Sequence, residues 1–532
     1  MPPRLALLFV LPLLTSAATR SFDVVVYGGT AGGVAAAVTA ARQGLRTALL
    51  EPTAHIGGLV SSGLGYTDFG NKQVIGGIAY EFYFRAGRHY KTSQFSNDVS
   101  WYHEPHVAEQ IFREMVESSG VQLFRQSRLK EKNGVEKNGA RLTSLSTENG
   151  DIFAASVFID ASYEGDLMAQ SGVTWVYGRE SSAQYGESLA GVRDRTPFHQ
   201  FLVDIPAPEI KSAPLPPPGS ADKAVQAYNF RMCFTEASDR VSFARPEGYD
   251  ASRYSLLARL VAARAKAEGK IPTLASLLSI GRLPEGTTDI NNNGPFSTDF
   301  IGGSWQYPNA SYAERDRIWQ QHKLYQSGLF YFLANDPSLP ESLRAEMNRW
   351  GLCPHEFTDS GNWPPLLYIR EDRRMVGEYV MIQQDLQTNL TKPDVIGMGS
   401  YNSDSHNVQR IVDSSGFVRN EGDMQVAVKP YQIPYRILLP KRAQATNLLV
   451  PVAFSASHVA YSSVRMEPQY MILGQASGIA AKMAIDAKSS VQEINTNALT
   501  ATLRSQGAVL EYVPSPQATA LIQARKAIAP PQ

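Results

Sequence analysis

An α/β fold built on a central parallel sheet is predicted by three stretches of this 532-residue sequence. Residues 22–51 read as strand, glycine turn, helix and a second strand ending in an acid. Residues 141–159 read as a hairpin whose second strand leads back toward the same turn, giving a β-meander at the sheet's flank. Residues 447–488, far along the chain, supply one more buried strand and a helix rich in small residues. Residues 201–395 lack this alternation and read as an inserted mixed α+β domain.

Taken in order, 22–27 (FDVVVY) is a continuous apolar, β-branched run, as expected of a strand covered on both faces. Residues 28–33 (GGTAGG) form a tight turn, 34–42 an Ala-rich helix stopped at Gly44, and 46–51 (RTALLE) the second strand. This is the layout of a Rossmann-like dinucleotide site. Glycines let the backbone approach a pyrophosphate, the helix N-terminus attracts that anion, and the acid, Glu51, accepts from a ribose hydroxyl. Thr30 replaces the middle glycine of G-x-G-x-x-G, so the strand, helix and acid around the turn carry the assignment. Glu51 is followed by Pro52 and then Gly57-Gly58. A second glycine doublet there follows the pattern of flavoproteins and favours FAD over NAD.

Residues 121–128 read as a strand, and 141–146 with 153–159 as a hairpin around Asn149-Gly150-Asp151, running into Asp160-Ala161-Ser162. Pro206, Pro208, Pro214 and Pro216 to Pro218 disfavour helix and central strand alike and read as a surface loop into the inserted domain. That domain carries helical patterns over 254–270 and 313–335, separated by polar aromatic loops at 289–305 and 350–363. Residues 447–452 (NLLVPV) are the returning strand. Residues 468–488 are a helix opening with Pro468 and carrying Gly474, Ala476 and Gly478. Its small residues permit close approach to a planar ligand or to neighbouring structure, and its N-terminus would stabilise negative charge on a reduced flavin.

Fifty Lys+Arg balance 50 Asp+Glu. With no net charge and no basic run, nucleic-acid binding is excluded as the principal function. Residues 1–18 have the layout of a secretory leader: Arg4, an apolar run over 5–14, and Ser16-Ala17-Ala18 as the cleavage site. The run is shorter than the roughly 20 residues of a membrane span, so no stable membrane insertion is expected and the mature chain reads as periplasmic or secreted. Cys233 and Cys353 read as two buried free thiols, a disulfide being the alternative. No Cys spacing suggests a metal site. The domain reading is 1–18 leader, 19–200 N-terminal part of the nucleotide domain, 201–395 insert, 396–510 return, and 511–532 tail.

Seven motifs together resemble the bacterial FAD-dependent oxidoreductase family (FAD_oxidored type). They are GGTAGG, EPTAHIGGLVSSGLGYTD at 51–68, FIDASYEGDLMAQSGV at 158–173, QAYNFRMCFT at 226–235, YIREDRRMVGEY at 368–379, YNSDSHNVQR at 401–410, and RMEPQYMILGQASGIAA at 465–481. The resemblance spans about 22–510 and implies a fold similar to the glutathione-reductase-like FAD-binding proteins. It also implies Gly28, Gly29, Thr30, Ala31 and Gly33 at the pyrophosphate and Glu51, with Pro52 beside it, at the ribose. Gly57 and Gly58 would then lie beside the flavin, Asp160 and Ala161 at the return of the sheet, and Gly474, Gln475 and Ala476 at the flavin's far side. His55 raises the question of a covalent flavin link.

A flavoenzyme must orient its substrate and move a proton. His458, after the returning strand, and His406, in a stretch dense in hydrogen-bonding groups, are the candidate general bases, each with a satisfied structural histidine as the alternative. The run Arg370-Glu371-Asp372-Arg373-Arg374 reads as a solvated helix face or ion-pair cluster, or as Arg370 or Arg373 holding substrate by bidentate bonds. Trp101, Trp305, Trp350 and Trp363 lie in polar loops where they either stack on sugar rings or pack as core. The expected activity is hydride transfer between flavin and a small hydroxyl-bearing substrate, with a sugar favoured. The alternative is a polysaccharide lyase, hydrolase or binding protein with a vestigial or structural FAD site. The electron acceptor is left unassigned, and without a second nucleotide fingerprint direct NAD(P)H dependence is disfavoured.

Overall fold

The computed structural model describes residues 19–91, 99–193, 198–210 and 214–514. The leader reading and most of the 511–532 tail therefore lie outside the described residues.

The chain enters on strand β1 (Thr19–Tyr27), whose last residues are fully buried. Helix α1 (Ala31–Arg42) starts three residues earlier than the sequence pattern suggests, because Thr30 caps it and draws Gly32 and Gly33 into its first turn. Strand β2 (Thr47–Leu50), helices α2 (Gly77–His89) and α3 (Pro105–Ser119), and strand β3 (Gln122–Phe124) follow. Then come β4 (Val135–Asn138), β5 (Arg141–Ser146) and β6 (Ile152–Asp160). The sheet order is β3-β2-β1-β6-β5-β4. β1 runs parallel to β2 and to β6, and β2 parallel to β3, while β4, β5 and β6 form the antiparallel meander.

Beyond the meander, the inserted segment contains α4 (Ser255–Glu268) and α5 (Tyr312–Asn335), close to the predicted spans, with short two-stranded pairings between them. The 370–374 run is neither helical nor solvated. Arg374–Met375 pairs with Trp175–Val176, and all five residues are buried, so the ion-pair reading holds and the exposed-face reading does not.

Near the far end of the chain, β7 (Leu448–Leu449) joins the sheet parallel to β6, shorter than the six-residue strand read over 447–452. After it come α6 (His458–Val464) and α7 (Glu467–Ala487). α7 lies tightly on α1: a Cβ on Gly474 would sit 2.1 Å from Gly32 O, and one on Gly478 2.7 Å from Ala36 O. Small residues four apart on one face are what allow two helices to approach this closely. Cys233 and Cys353 form a disulfide, against the free-thiol expectation. The neighbouring pairing of Phe234–Thr235 with Gly351–Leu352 brings together two cysteines 120 residues apart.

Candidate active site

Position by position, the glycine turn shows why its residue types are required. Gly28 has φ +96°, and a Cβ there would lie 2.6 Å from Ser162 N. Thr30 Oγ1 donates to Ala161 O (2.8 Å) and accepts from Gly33 N (3.1 Å), so one side chain caps α1 and ties it to the end of β6. The first two helix N–H groups, those of Ala31 and Gly32, have no partner among the described residues. They are the donors with which a helix N-terminus receives an anion. Glu51 is buried; its Oε2 accepts from Gly29 N (2.8 Å) and its Oε1 from Thr53 N (2.7 Å), and burial pushes its carboxyl up to about 7. Pro52 is half-buried beside it.

Across the turn, Gly57 N donates to Gly29 O (2.7 Å), which sets the second glycine doublet against the first. A Cβ on Gly58 would come 2.4 Å from Tyr163 Oη. That hydroxyl accepts from Leu59 N (2.9 Å) and donates to Glu467 Oε1 (2.8 Å), linking the doublet to the start of α7. The Ala161 backbone joins the turn by donating to Tyr27 O. The Asp160 carboxylate instead serves local structure, accepting from Ser162 N, Ser162 Oγ and Met168 N; burial raises it to about 7.

The structure does not bring Gly474, Gln475 and Ala476 to the turn's ligand side. Gly474 packs on Gly32, Gln475 Oε1 accepts from Ile78 N at the head of α2, and Ala476 is fully buried. Their spacing reflects helix packing; the end of α7 that faces the cleft is its N-terminus. There Glu467, Tyr470, Arg465, Tyr368, Arg370 and Leu59 line a narrow cleft. Glu467 Oε2 has no hydrogen-bond partner among the described residues, and burial raises the carboxyl to about 8.

Where the returning segment meets the insert, both candidate histidines belong to one buried network. His406 Nδ1 meets Asp299 Oδ2 at 2.6 Å, and Asp299 Oδ1 lies 3.0 Å from Arg370 Nη2. Burial and then Arg370 lower the His406 pKa, favouring the neutral imidazole. Burial would raise Asp299, but Arg370 and His406 outweigh it and hold the carboxylate below its usual range. His406 N donates to Gln226 Oε1 (3.0 Å), and Gln226 Nε2 donates to Glu371 Oε2 (3.0 Å). Glu371 in turn meets His458 Nδ1 at 2.7 Å. Despite its burial, Glu371 is held near about 2 by His458 and Arg374. Arg370 also donates to Asn229 Oδ1 and Asn291 Oδ1, so it braces the site through Asp299.

Sequence reasoning missed Asp299, Gln226 and His199. His199 stacks on His406 with ring centroids 6.1 Å apart. Nothing local marks these three; Asp299 reaches His406 across 107 residues. His55 has both ring nitrogens on carboxylates, Glu109 and Asp359, which leaves neither free for a flavin bond. Of the loop tryptophans, Trp350 and Trp363 are buried and Trp305 is 39% exposed. No helix among the described residues is long and apolar enough to cross a membrane.

Behind His199, whose Nε2 lies 4.0 Å from its Oδ2, Asp423 is wholly buried, and neither of its oxygens has a hydrogen-bond partner among the described residues. Burial, then Asp404 and Asp299, push it up to about 8. A carboxyl raised in the folded state costs stability as pH climbs from its unfolded value through that point. Asp423→Asn should therefore raise the thermal midpoint at pH 8.5 relative to wild type, with the gap closing toward pH 4. A constant gap across that range would remove Asp423 from the titration.

A parallel β-α-β unit with a glycine turn, a capped helix with open N–H groups and a ribose-type acid defines a dinucleotide-binding protein. The family model described as FAD dependent oxidoreductase matches residues 23–503, and the chain belongs to that family. It is an FAD-dependent oxidoreductase, with FAD as cofactor.

Among solved structures, a geranylgeranyl bacteriochlorophyll reductase-like protein from Thermoplasma acidophilum is 11% identical, with 96% of this chain and 97% of that one covered and a TM-score of 0.35. Anhydrotetracycline hydroxylase from Streptomyces rimosus is 16% identical over 30% of this chain and 36% of its own, TM-score 0.22. A 3-ketosteroid-delta4-(5alpha)-dehydrogenase from Rhodococcus jostii RHA1 is 16% identical over 30% and 50%, TM-score 0.20. This chain thus spans about a third of the hydroxylase's length, and likeness at these scores carries no functional weight. No curated protein matches the chain.

Proposed function

We propose that the chain is an exported FAD-dependent oxidoreductase that transfers hydride between a hydroxyl-bearing substrate, a carbohydrate by preference, and the flavin. The observation carrying this reading is the buried Asp299–His406 pair. Asp299 fixes the ring through Nδ1, and Nε2, with Asp404 Oδ2 4.0 Å away, is the proton acceptor for a substrate hydroxyl. Arg370 holds Asp299 ionised and in place, and His458, linked through Glu371 and Gln226, is the second candidate base. Gly28 to Gly33 and Glu51 are the residues that would hold the dinucleotide, with Gly57, Gly58 and the head of α7 toward the flavin. When bound, FAD supplies the hydride acceptor or donor at N5.

Two observations support the finer reading. The indole of Trp305 is fixed by Nε1 donating to Val408 O (2.9 Å) and opens onto a groove of about 790 Å³ with Tyr177, Asp222, Lys223 and Gln409. An exposed aromatic face among polar groups suits a sugar ring, whose C–H bonds sit on the negative π-face. The Cys233–Cys353 disulfide suits an oxidising compartment, periplasmic or secreted, and the domain limits at 200, 395 and 510 are part of the same proposal.

The test is the visible spectrum of the purified mature chain before and after acid precipitation, followed by anaerobic mixing with sugars and alcohols. Flavin bands that bleach with a sugar, with colour released into the supernatant, are the expected result. A flavin that no hydroxyl compound reduces would sink the substrate class. A protein that stays colourless after reconstitution would bring the lyase, hydrolase or binding alternatives forward.

A further inference from the structure

The loop between Glu51 and Gly57 is held from two directions. Toward the sheet, Glu51 accepts from Thr53 N, and Thr53 Oγ1 accepts from His55 N and donates to His55 O, both at 3.2 Å. On its other side, His55 Nδ1 lies 3.0 Å from Glu109 Oε2 of α3, and Nε2 lies 2.9 Å from Asp359 Oδ2. An unbroken series of bonds thus runs from the ribose carboxylate to a residue 304 positions beyond His55.

Asp359 belongs to the segment 353–363, which is tied down at several points. Cys353 is bonded to Cys233. Glu356 accepts from His106 N (3.2 Å) and meets His106 Nδ1 at 2.6 Å, a second tie to α3. Asn362 Nδ2 donates to the carbonyls of Cys353, Pro354 and Glu356. Phe357 and Asn362 have φ of +55° and +58°, a conformation that costs a residue with a side chain. The segment's shape is therefore imposed by its ties, and cutting them frees it to relax.

We propose that the Cys233–Cys353 bridge, acting through Asp359 and His55, is a latch that positions the Glu51 loop and retains FAD once it has bound. His55 is a positioning residue in this scheme, acting on the ribose carboxylate through Thr53. Closing the latch joins two thiols and passes two electrons and two protons to a disulfide-bearing oxidant, which leaves as a dithiol. The supply of that oxidant rests on the export reading above; the mechanical coupling does not.

The latch has a pH limb. His55 faces Glu109 and Asp359, and Glu109 also faces Arg113 at 2.6 Å. His106 faces Glu356 and, at 3.9 Å, Glu285, with Glu104 also acting on it. Glu109 holds His55 protonated to higher pH than a free imidazole, outweighing burial, and Glu356 does the same for His106. Both raised groups contribute fully below the ordinary imidazole range, and their ties weaken as pH rises through the raised values.

The experiment is FAD release from the holoprotein, followed as the rise in flavin fluorescence after dilution, for wild type, Cys233→Ala/Cys353→Ala and Asp359→Asn. Release about tenfold faster is expected for the double variant, where the covalent tie on the 353–363 segment is lost. About threefold is expected for Asp359→Asn, which loses one partly exposed charged bond. Raising the pH from 6 to 9 should quicken release from wild type and change it less in Asp359→Asn. Release within twofold of wild type in both variants overturns the latch. The Asp359 side chain is 58% exposed, so its variant keeps the test decisive even if the double variant does not fold. Bleaching by sugars is read separately: faster release in a protein that no sugar reduces keeps the latch and removes the substrate class.

Discussion

Purified Gly33→Ala should carry about a tenth or less of the wild-type flavin. The added Cβ would stand 1.9 Å from Gly28 O and 3.1 Å from Ala161 Cβ. The obstructing atom is backbone, so no side chain can swing aside. Relief requires the turn to open, and forcing extra atoms into such packing costs about 1 to 3 kcal/mol before any ligand contact is lost. Opening the turn also redirects the N–H groups of Ala31 and Gly32, the donors offered to the pyrophosphate. The ratio of flavin to protein absorbance, with far-ultraviolet circular dichroism as the folding control, decides the matter. A folded Gly33→Ala protein with full flavin would remove the turn from the cofactor site. Glu51→Ala should lower flavin content by the same measurement.

His406→Ala should slow anaerobic flavin reduction by substrate about 10²- to 10⁴-fold while FAD content is unchanged, the usual range for losing a general base. Asp299→Asn should fall short of that, since the amide still reaches Nδ1 but no longer fixes the tautomer. Because burial and Arg370 lower the His406 pKa, the wild-type rate should hold as pH falls through 6.5 and drop only further into acid. A rate that already halves near 6.5 would indicate an unperturbed imidazole elsewhere. His458→Ala separates the two candidates: an unchanged reduction rate returns His458 to its structural role between Glu371 and the head of α6.

The parts of this architecture with local signatures were legible in the chain. The β1 run, the glycine turn and Glu51 are consecutive, and their order alone specifies a strand feeding a helix N-terminus. The meander around Asn149-Gly150 was legible for the same reason, since turn chemistry is local. Asp299, Gln226 and Glu371 meet His406 and His458 only because the insert packs against the returning segment that carries both histidines, and no spacing in the sequence encodes that meeting. The disulfide was hidden likewise, since two cysteines so far apart give no sign of pairing until Phe234–Thr235 meets Gly351–Leu352. The small residues of α7 were visible but ambiguous: a glycine that admits a ligand and one that admits a neighbouring helix look the same in one dimension, and Gly32 O settles Gly474 as the second kind.

The sheet that opens at Thr19 is completed by Leu448–Leu449, and α1, which also meets α3, finds its closest packing partner in α7. During synthesis the first 50 residues thus leave the ribosome with their cofactor turn written but unsupported, and some 400 more must follow before the covering helix arrives. The early β-α-β unit has to wait with part of its apolar surface uncovered and open to association until the chain is complete. Cofactor capture is consequently a late event of the whole polypeptide, and a chain cut anywhere before residue 488 should lose it however intact its glycine turn.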